Sequence, residues 1–232
     1  MNFHDELEKL GLVLDERKTN QFEVYYKKLI AVNQVMNLTA ITEKEEVYRK
    51  HFLDSLEIIR VLKNKEEYTL CDVGSGAGFP SIPLAIVQSG VQVTIIDALN
   101  KRISFLKELS TELGLTNVCA IHARAEDYAK VKREFFDVVT ARAVAKLNVL
   151  AELCLPLIKL GGLFLAMKGS SGEEELLEAT RAIEQLGGKL VNILDFVLPD
   201  GEERRQIIVI QKMKNTPSKY PRNFNKIKEC PL

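Results

Sequence analysis

Leu70-Cys71-Asp72-Val73-Gly74-Ser75-Gly76-Ala77-Gly78-Phe79-Pro80 sets a short apolar run directly against a loop with glycine at every second position. Alternating glycines let a chain turn tightly and bring bare backbone up to a ligand where a Cβ would collide. A dinucleotide fingerprint, G-x-G-x-x-G, needs glycine where Phe79 stands, and a P-loop needs Gly-Lys-Ser/Thr, which the chain lacks. A plain tight turn uses one or two glycines, not three in alternation. Some twenty residues further on, Val91-Gln92-Val93-Thr94-Ile95-Ile96-Asp97 is a second apolar strand ending in an acid. In doubly wound sheets a carboxylate there accepts hydrogen bonds from ribose hydroxyls. The competing reading makes Asp97 a cap for a helix that begins near Asn100.

Outward from that unit the chain falls into three regions. Residues 1–67 read as a helical extension, with Asp15 capping a segment whose Phe22, Tyr25, Leu29, Val32 and Met36 share one face. Thr42-x-x-Glu45 has the form of a capping box that opens a helix carrying Tyr48, Phe52, Leu56 and Ile59. Residues 68–213 alternate. Strands are expected at 69–73, 91–97, 117–122, 135–140 and 162–168, separated by helices at 81–89, 100–114 and 147–160. The second of these helices carries an apolar stripe, Leu99, Ile103, Leu106 and Leu113. After a helix at 173–186, strand 190–197 and Arg205–Gln211 form a hairpin turned at Pro199-Asp200-Gly201. Strands alternating with helices imply a parallel sheet covered on both faces. Residues 214–232 form a basic tail, with six of the 32 basic side chains and one acid lying in 212–232.

The 232 residues suit one domain with an extension, and the net charge is zero, which limits general attraction to nucleic acid. No apolar run nears the roughly 18 residues of a membrane span, and the start lacks signal-peptide order. Cys71, Cys119, Cys154 and Cys230 show no C-x-x-C spacing, so no metal site or disulfide framework is expected. The first three, in apolar surroundings, read as reduced core residues of a cytoplasmic protein.

Asp72-x-Gly74-x-Gly76-x-Gly78 behind a strand resembles the first motif of the Rossmann-like S-adenosyl-L-methionine (SAM) methyltransferases. The wider run through Pro83-Leu84 is similar to the glucose-inhibited division protein B family, the small-subunit rRNA methyltransferase G family. Asn37-Leu38-Thr39, His51-Phe52-Leu53-Asp54-Ser55, Asp97-Ala98-Leu99-Asn100-Lys101-Arg102, Arg124-Ala125-Glu126, Thr140-Ala141-Arg142-Ala143 and Met167-Lys168-Gly169 follow in the family's order. Lys219-Tyr220-Pro221-Arg222 fits some members, but Asn223-Phe224-Asn225-Lys226 replaces the Pro-Gly-rich basic ending many have.

The resemblance implies an α/β class I SAM-dependent methyltransferase fold, a seven-stranded mostly parallel sheet, with an N-terminal helical extension. It also implies methylation at N7 of a guanine in the decoding-region loop of 16S rRNA, free, in the small ribosomal subunit or in an assembly intermediate. The implied cofactor site comprises Gly74, Phe79, Ala125, Glu126 and Arg142, to which the residue chemistry adds Gly76 and Asp97. Phe79 would wall one side of SAM, Glu126 or the Ala125 amide would meet the adenine edge, and Arg142 would hold a carboxylate or phosphate. Lys168, at the carboxyl edge of its strand, His51 and Asp54 are the candidates for the acceptor side, Asp54 as a neighbour of the positively charged product ring. Guanine N7 has an in-plane lone pair and needs no deprotonation. Consistently, the chain lacks the Asn/Asp-Pro-Pro-Tyr run of exocyclic-amine enzymes and a Pro-Cys nucleophile. Methylation of a small molecule beneath a helical lid, and a non-catalytic SAM- or nucleotide-binding module, are the alternatives.

Overall fold

A computed structural model describes every residue of the chain except Asn64, Asp200 and Glu202. Its sheet has seven strands: β1 (Tyr68–Val73), β2 (Val91–Asp97), β3 (Val118–His122), β4 (Phe136–Arg142), β5 (Ile158–Lys168), β6 (Gly188–Val197) and β7 (Arg204–Lys212). They lie in the order β3-β2-β1-β4-β5-β7-β6, with β1 to β5 parallel and β7 antiparallel to both β5 and β6. Because β1 pairs with β2 on one side and β4 on the other, the strand order reverses there, and a crevice opens at the carboxyl ends. The expected alternating sheet and closing hairpin are both present; the Asp200 of the expected turn lies outside the described residues.

Two apolar layers cover the sheet. On one face Phe22, Tyr25, Phe52, Ile82, Ile103 and Leu106 pack against Leu70, Val93 and Ile95. On the other, Leu150, Leu153, Leu176 and Ala179 pack against Cys71, Val139 and Phe164. The N-terminal extension belongs to the first layer. Its long helix, Glu16–Met36, starts where the Asp15 carboxylate accepts from the Lys18 N–H at 2.7 Å, as expected, and ends at Asn37 in the left-handed region, φ +48°. Asparagine tolerates that conformation better than most residues.

Several expectations give way. Thr42 caps nothing: the helix Lys44–Val47 has Glu43 as its N-cap without a side-chain bond, so Thr42 stands one residue outside. The helix begun at 147 ends at Cys154, and Pro156 shapes a 3-10 turn, Leu155–Leu157, before β5 starts at Ile158. Pro156 has no N–H to continue a helix. Two short helices, Ala125–Val131 and Phe224–Glu229, have no counterpart among the expected elements. Cys119 is exposed because β3 is the edge strand, and Leu99 is 44% exposed, not part of the core stripe. The final segment is docked, with Tyr220 and Ile227 buried in the second apolar layer.

Candidate active site

Two cavities open along the carboxyl edge of the sheet. The first, about 380 Å³, is lined by Gly74 after β1, Asp97, Ala98 and Leu99 after β2, Arg124 to Glu126 after β3, and Val144 after β4, with Phe224 from the final helix. Its volume suits a cofactor-sized ligand. Gly74 has φ +73°, and a Cβ there would come within 2.8 Å of a Val144 methyl carbon. Glycine is therefore required by both conformation and space. Asp72, the acid of the motif, lies fully buried beneath the loop, where it accepts from the Ser81 N–H at 3.3 Å. Burial pushes its carboxyl up to about 7, against the hydrogen bonds of Ser81 and Ser75.

Asp97 is 3% exposed and lines this cavity. It accepts from the Leu99 N–H at 2.8 Å and the Arg102 guanidinium at 3.3 Å. The helix Asn100–Glu112 has Leu99 as its N-cap and no side-chain cap bond, so Asp97 braces the turn before the helix without capping the helix itself. Ala125 and Glu126 begin a helix, both are buried, and Glu126 lies 3.9 Å from Arg124.

The second cavity, about 530 Å³, is lined by Ile41, Lys50, His51, Asp54, Arg142, Lys168, Glu175 and Arg205, among others, and shares Ala143 and Val144 with the first. Its N-terminal wall is a π-helical turn, Tyr48–Leu53, in which the Asp54 N–H reaches back five residues to the Arg49 carbonyl. Such wide turns gather at functional sites because they re-aim side chains. Here His51 and Asp54 both meet Arg142: its guanidinium donates to Asp54 Oδ2 at 2.8 Å and lies 3.4 Å from His51 Nδ1. Arg205 approaches the other Asp54 oxygen at 3.5 Å. Burial raises the Asp54 carboxyl, and the two guanidiniums oppose it. The His51 imidazole is pushed down to about 3 by burial and by Arg142. Thr39 Oγ1 bonds His51 Nε2 at 2.8 Å and accepts from the Ile41 N–H at 3.0 Å, which is what the Asn37-Leu38-Thr39 turn builds.

The sequence-derived residues thus divide between two cavities. Gly74, Asp97, Ala125 and Glu126 line the first; Arg142, Lys168, His51 and Asp54 line the second. Gly76 and Phe79 line neither. Gly76 has φ +63° and open space where a Cβ would stand. Phe79, expected as a wall of the cofactor site, instead stacks against His51 at 4.5 Å and Tyr25 at 5.4 Å, with Arg142 4.8 Å above its ring. Lys168, expected on the acceptor side, is 8% exposed and donates to the Ala145 carbonyl at 2.7 Å and Glu175 at 2.6 Å. The same Glu175 oxygen accepts from the Leu147 N–H at 2.8 Å, so Lys168 and Glu175 tether the loop after β4.

Sequence reasoning missed Leu99, Val144, Arg205 and Phe224. A large apolar residue two positions after the acid of β2 is the one available signal for Leu99. Ala143, at φ +56°, sets the course of the loop between the cavities, and alanine gives no hint of that conformation. Among the described residues no group of His, Cys, Asp or Glu is gathered to hold a metal ion, and no helix is long and apolar enough to cross a membrane.

The sheet order, the glycine cradle under Val144 and the acid at the end of β2 define a class I SAM-dependent methyltransferase, and the residues of the first cavity fit that cofactor. A family model described as rRNA small subunit methyltransferase G matches residues 18–208. The chain belongs to that family and is an rRNA methyltransferase. A relative of that name from Lactobacillus johnsonii is 48% identical, covering 99% of this chain and 98% of its own. One from Staphylococcus haemolyticus is 51% identical, covering 98% and 95%. A solved 16S rRNA (adenine(1408)-N(1))-methyltransferase mutant from Catenulisporales acidiphilia shares the fold at a TM-score of 0.54 and 15% identity, over 65% of this chain and 87% of that one.

Proposed function

We propose that the chain transfers a methyl group to N7 of a guanine in 16S rRNA, with the folded RNA of the small subunit or of an assembly intermediate as its substrate. One observation carries this reading: a cofactor cavity and a cation-rich cavity share the wall Ala143–Val144, and the carboxylates and imidazole lining the second are each engaged by a cation or a hydrogen bond. Bound SAM would supply an activated methyl group, transferred in line as the S–CH3 bond breaks and S-adenosylhomocysteine leaves, so orientation would provide much of the rate. Gly74 admits the cofactor's close approach to backbone, Asp97 is set to accept from its ribose hydroxyls, and Ala125 and Glu126 stand for the adenine edge.

On the acceptor side His51 is neutral, Asp54 is spanned by two guanidiniums, and Glu175 is taken by Lys168 and the Leu147 amide. A ring nitrogen with an in-plane lone pair asks for no proton removal, which suits such a site. Asp54, 4% exposed, lines the second cavity and orients Arg142 and Arg205 toward a phosphate-bearing acceptor.

The test is transfer of tritiated methyl from SAM to 16S rRNA, free and within small subunits, followed by strand cleavage at N7-methylguanine. Label at one guanine N7 is expected. Label on another base or atom overturns the position, and label passing only to small molecules overturns the substrate.

A further inference from the structure

The basic segment after β7 is gripped by the domain at several points. The buried Lys212 ammonium donates to the Leu155 carbonyl at 2.6 Å and bonds the Thr216 hydroxyl. Arg133 donates to the carbonyls of Thr216 at 2.6 Å and Tyr220 at 2.8 Å. Arg222 meets Glu152, which is fully buried, with its Nε 2.9 and 3.1 Å from the two carboxylate oxygens and a terminal nitrogen at 2.6 Å. Asn223 Oδ1 then accepts from the Lys226 N–H at 3.0 Å, capping the helix Phe224–Glu229, whose Ile227 is fully buried. These anchors lie on both sides of Phe224 and fix where its ring stands.

That ring lines the first cavity beside Leu99, Leu153 and Arg124. The Arg124 guanidinium sits 5.9 Å from the Phe224 centroid, and Arg124 is the residue before Ala125 and Glu126. The ring therefore stands by the part of the cavity assigned to adenine, and a Leu99 that is 44% exposed lines the same cavity. A half-exposed leucine and an aromatic ring facing one cavity form two apolar surfaces for a flat heterocycle. The family model stops at residue 208, so nothing in that match includes Phe224.

We propose that Phe224 is a cofactor-binding residue: its ring covers the adenosine half of SAM, and the C-terminal segment is a built-in wall of the cofactor site. This rests on the reading of the first cavity as the SAM site. The tail's cations are consequently not a uniform RNA-binding set. Arg222 is committed to Glu152 and Lys219 sits 5.2 Å from the Tyr220 ring centroid, which leaves Lys214, Lys226 and Lys228 exposed without such partners.

The experiment is calorimetric titration of the full chain with S-adenosylhomocysteine and with 5′-methylthioadenosine, which share the adenosine half. Phe224→Ala is expected to weaken both by about tenfold, the scale of one lost aromatic face. Phe224→Tyr should bind as the wild type does. Phe224→Leu keeps apolar bulk against the core if the alanine variant loosens the helix, and should fall between the two. Wild-type affinity in both Phe224→Ala and Phe224→Leu overturns the proposal. Asp97→Asn, measured alongside, separates the failures. If it weakens binding while Phe224 variants do not, only the wall is wrong; if neither weakens binding, the cavity itself is misassigned.

Discussion

The cofactor cavity and the acceptor cavity touch at Ala143 and Val144 but are made of opposite materials. The first is shaped by backbone: a glycine that lacks a Cβ, an acid that braces its own turn, and the start of a helix. Its parts sit at the ends of neighbouring strands, so local sequence positions them. The second is shaped by charge pairs between distant segments, Arg142 to Asp54 across 88 positions and Arg205 to the same carboxylate. A backbone-built site fails when volume changes, whereas a site built from ion pairs fails when a partner is removed or protonated.

The sharpest way to break this contrast is Gly74→Val. The new side chain meets Val144 and must hold a β-branched residue at φ +73°, so SAM affinity should fall about a thousandfold or more, roughly 4 kcal/mol, in a protein that still folds. Calorimetry decides it; near wild-type affinity would mean that the loop yields and the cradle is not rigid. On the acceptor side, Lys168→Ala strands the Glu175 carboxylate and frees the loop it tethers. It should cost about 3 kcal/mol of stability and lower methyl transfer to rRNA far more than it weakens SAM binding. Denaturant melts, transfer assays and calorimetry on the same preparation test all three parts.

His51 carries a pH signature. Its imidazole titrates near 3 in the folded protein, below the ordinary 6.5. Between those values the unfolded chain takes a proton that the folded site refuses. Stability is therefore intact above about pH 6.5 and is lost by about 1.4 kcal/mol per unit as pH falls toward 3. From about pH 6.5 to 5 the wild type should lose roughly 2 kcal/mol more than His51→Gln, which does not titrate. Equal losses in urea melts would mean that the ring is solvated. Asp97→Asn is the mildest change, expected to weaken SAM about tenfold through one poorer charge-assisted hydrogen bond. An unchanged affinity with a lower melting temperature would reduce Asp97 to bracing Leu99 and Arg102.

The same contrast divides the features that are legible in the sequence from those that are not. The β1 loop, β2 with its acid, and the β6–β7 hairpin follow from short-range patterns, and the sheet contains all of them. Helix Ala125–Val131 is hidden because seven residues are too few to display an apolar stripe. The run from Leu153 to Ile158 is continuously apolar, so the passage from helix to β5 at Pro156 has no change of period to mark it. Phe79 reads as a cofactor wall because of its place beside the glycines. Its partners Tyr25 and His51 come from the N-terminal extension and Arg142 from the end of β4, which no spacing rule connects. Phe224 reads as part of a charged tail, since the docking of that segment depends on Arg133, Glu152 and Lys212 upstream of it.

The single partition formed by Ala143 and Val144 has a thermodynamic consequence. A wall with one face toward each ligand cannot be displaced on one side without altering the other. If cofactor entry shifts Val144, RNA must meet a different surface afterward, and its dissociation constant changes by some factor. Reciprocity then obliges bound RNA to change the dissociation constant of the cofactor by that same factor. Order of addition, a kinetic choice, leaves the equilibrium product untouched, so a ternary complex assembled along either route carries one shared coupling energy.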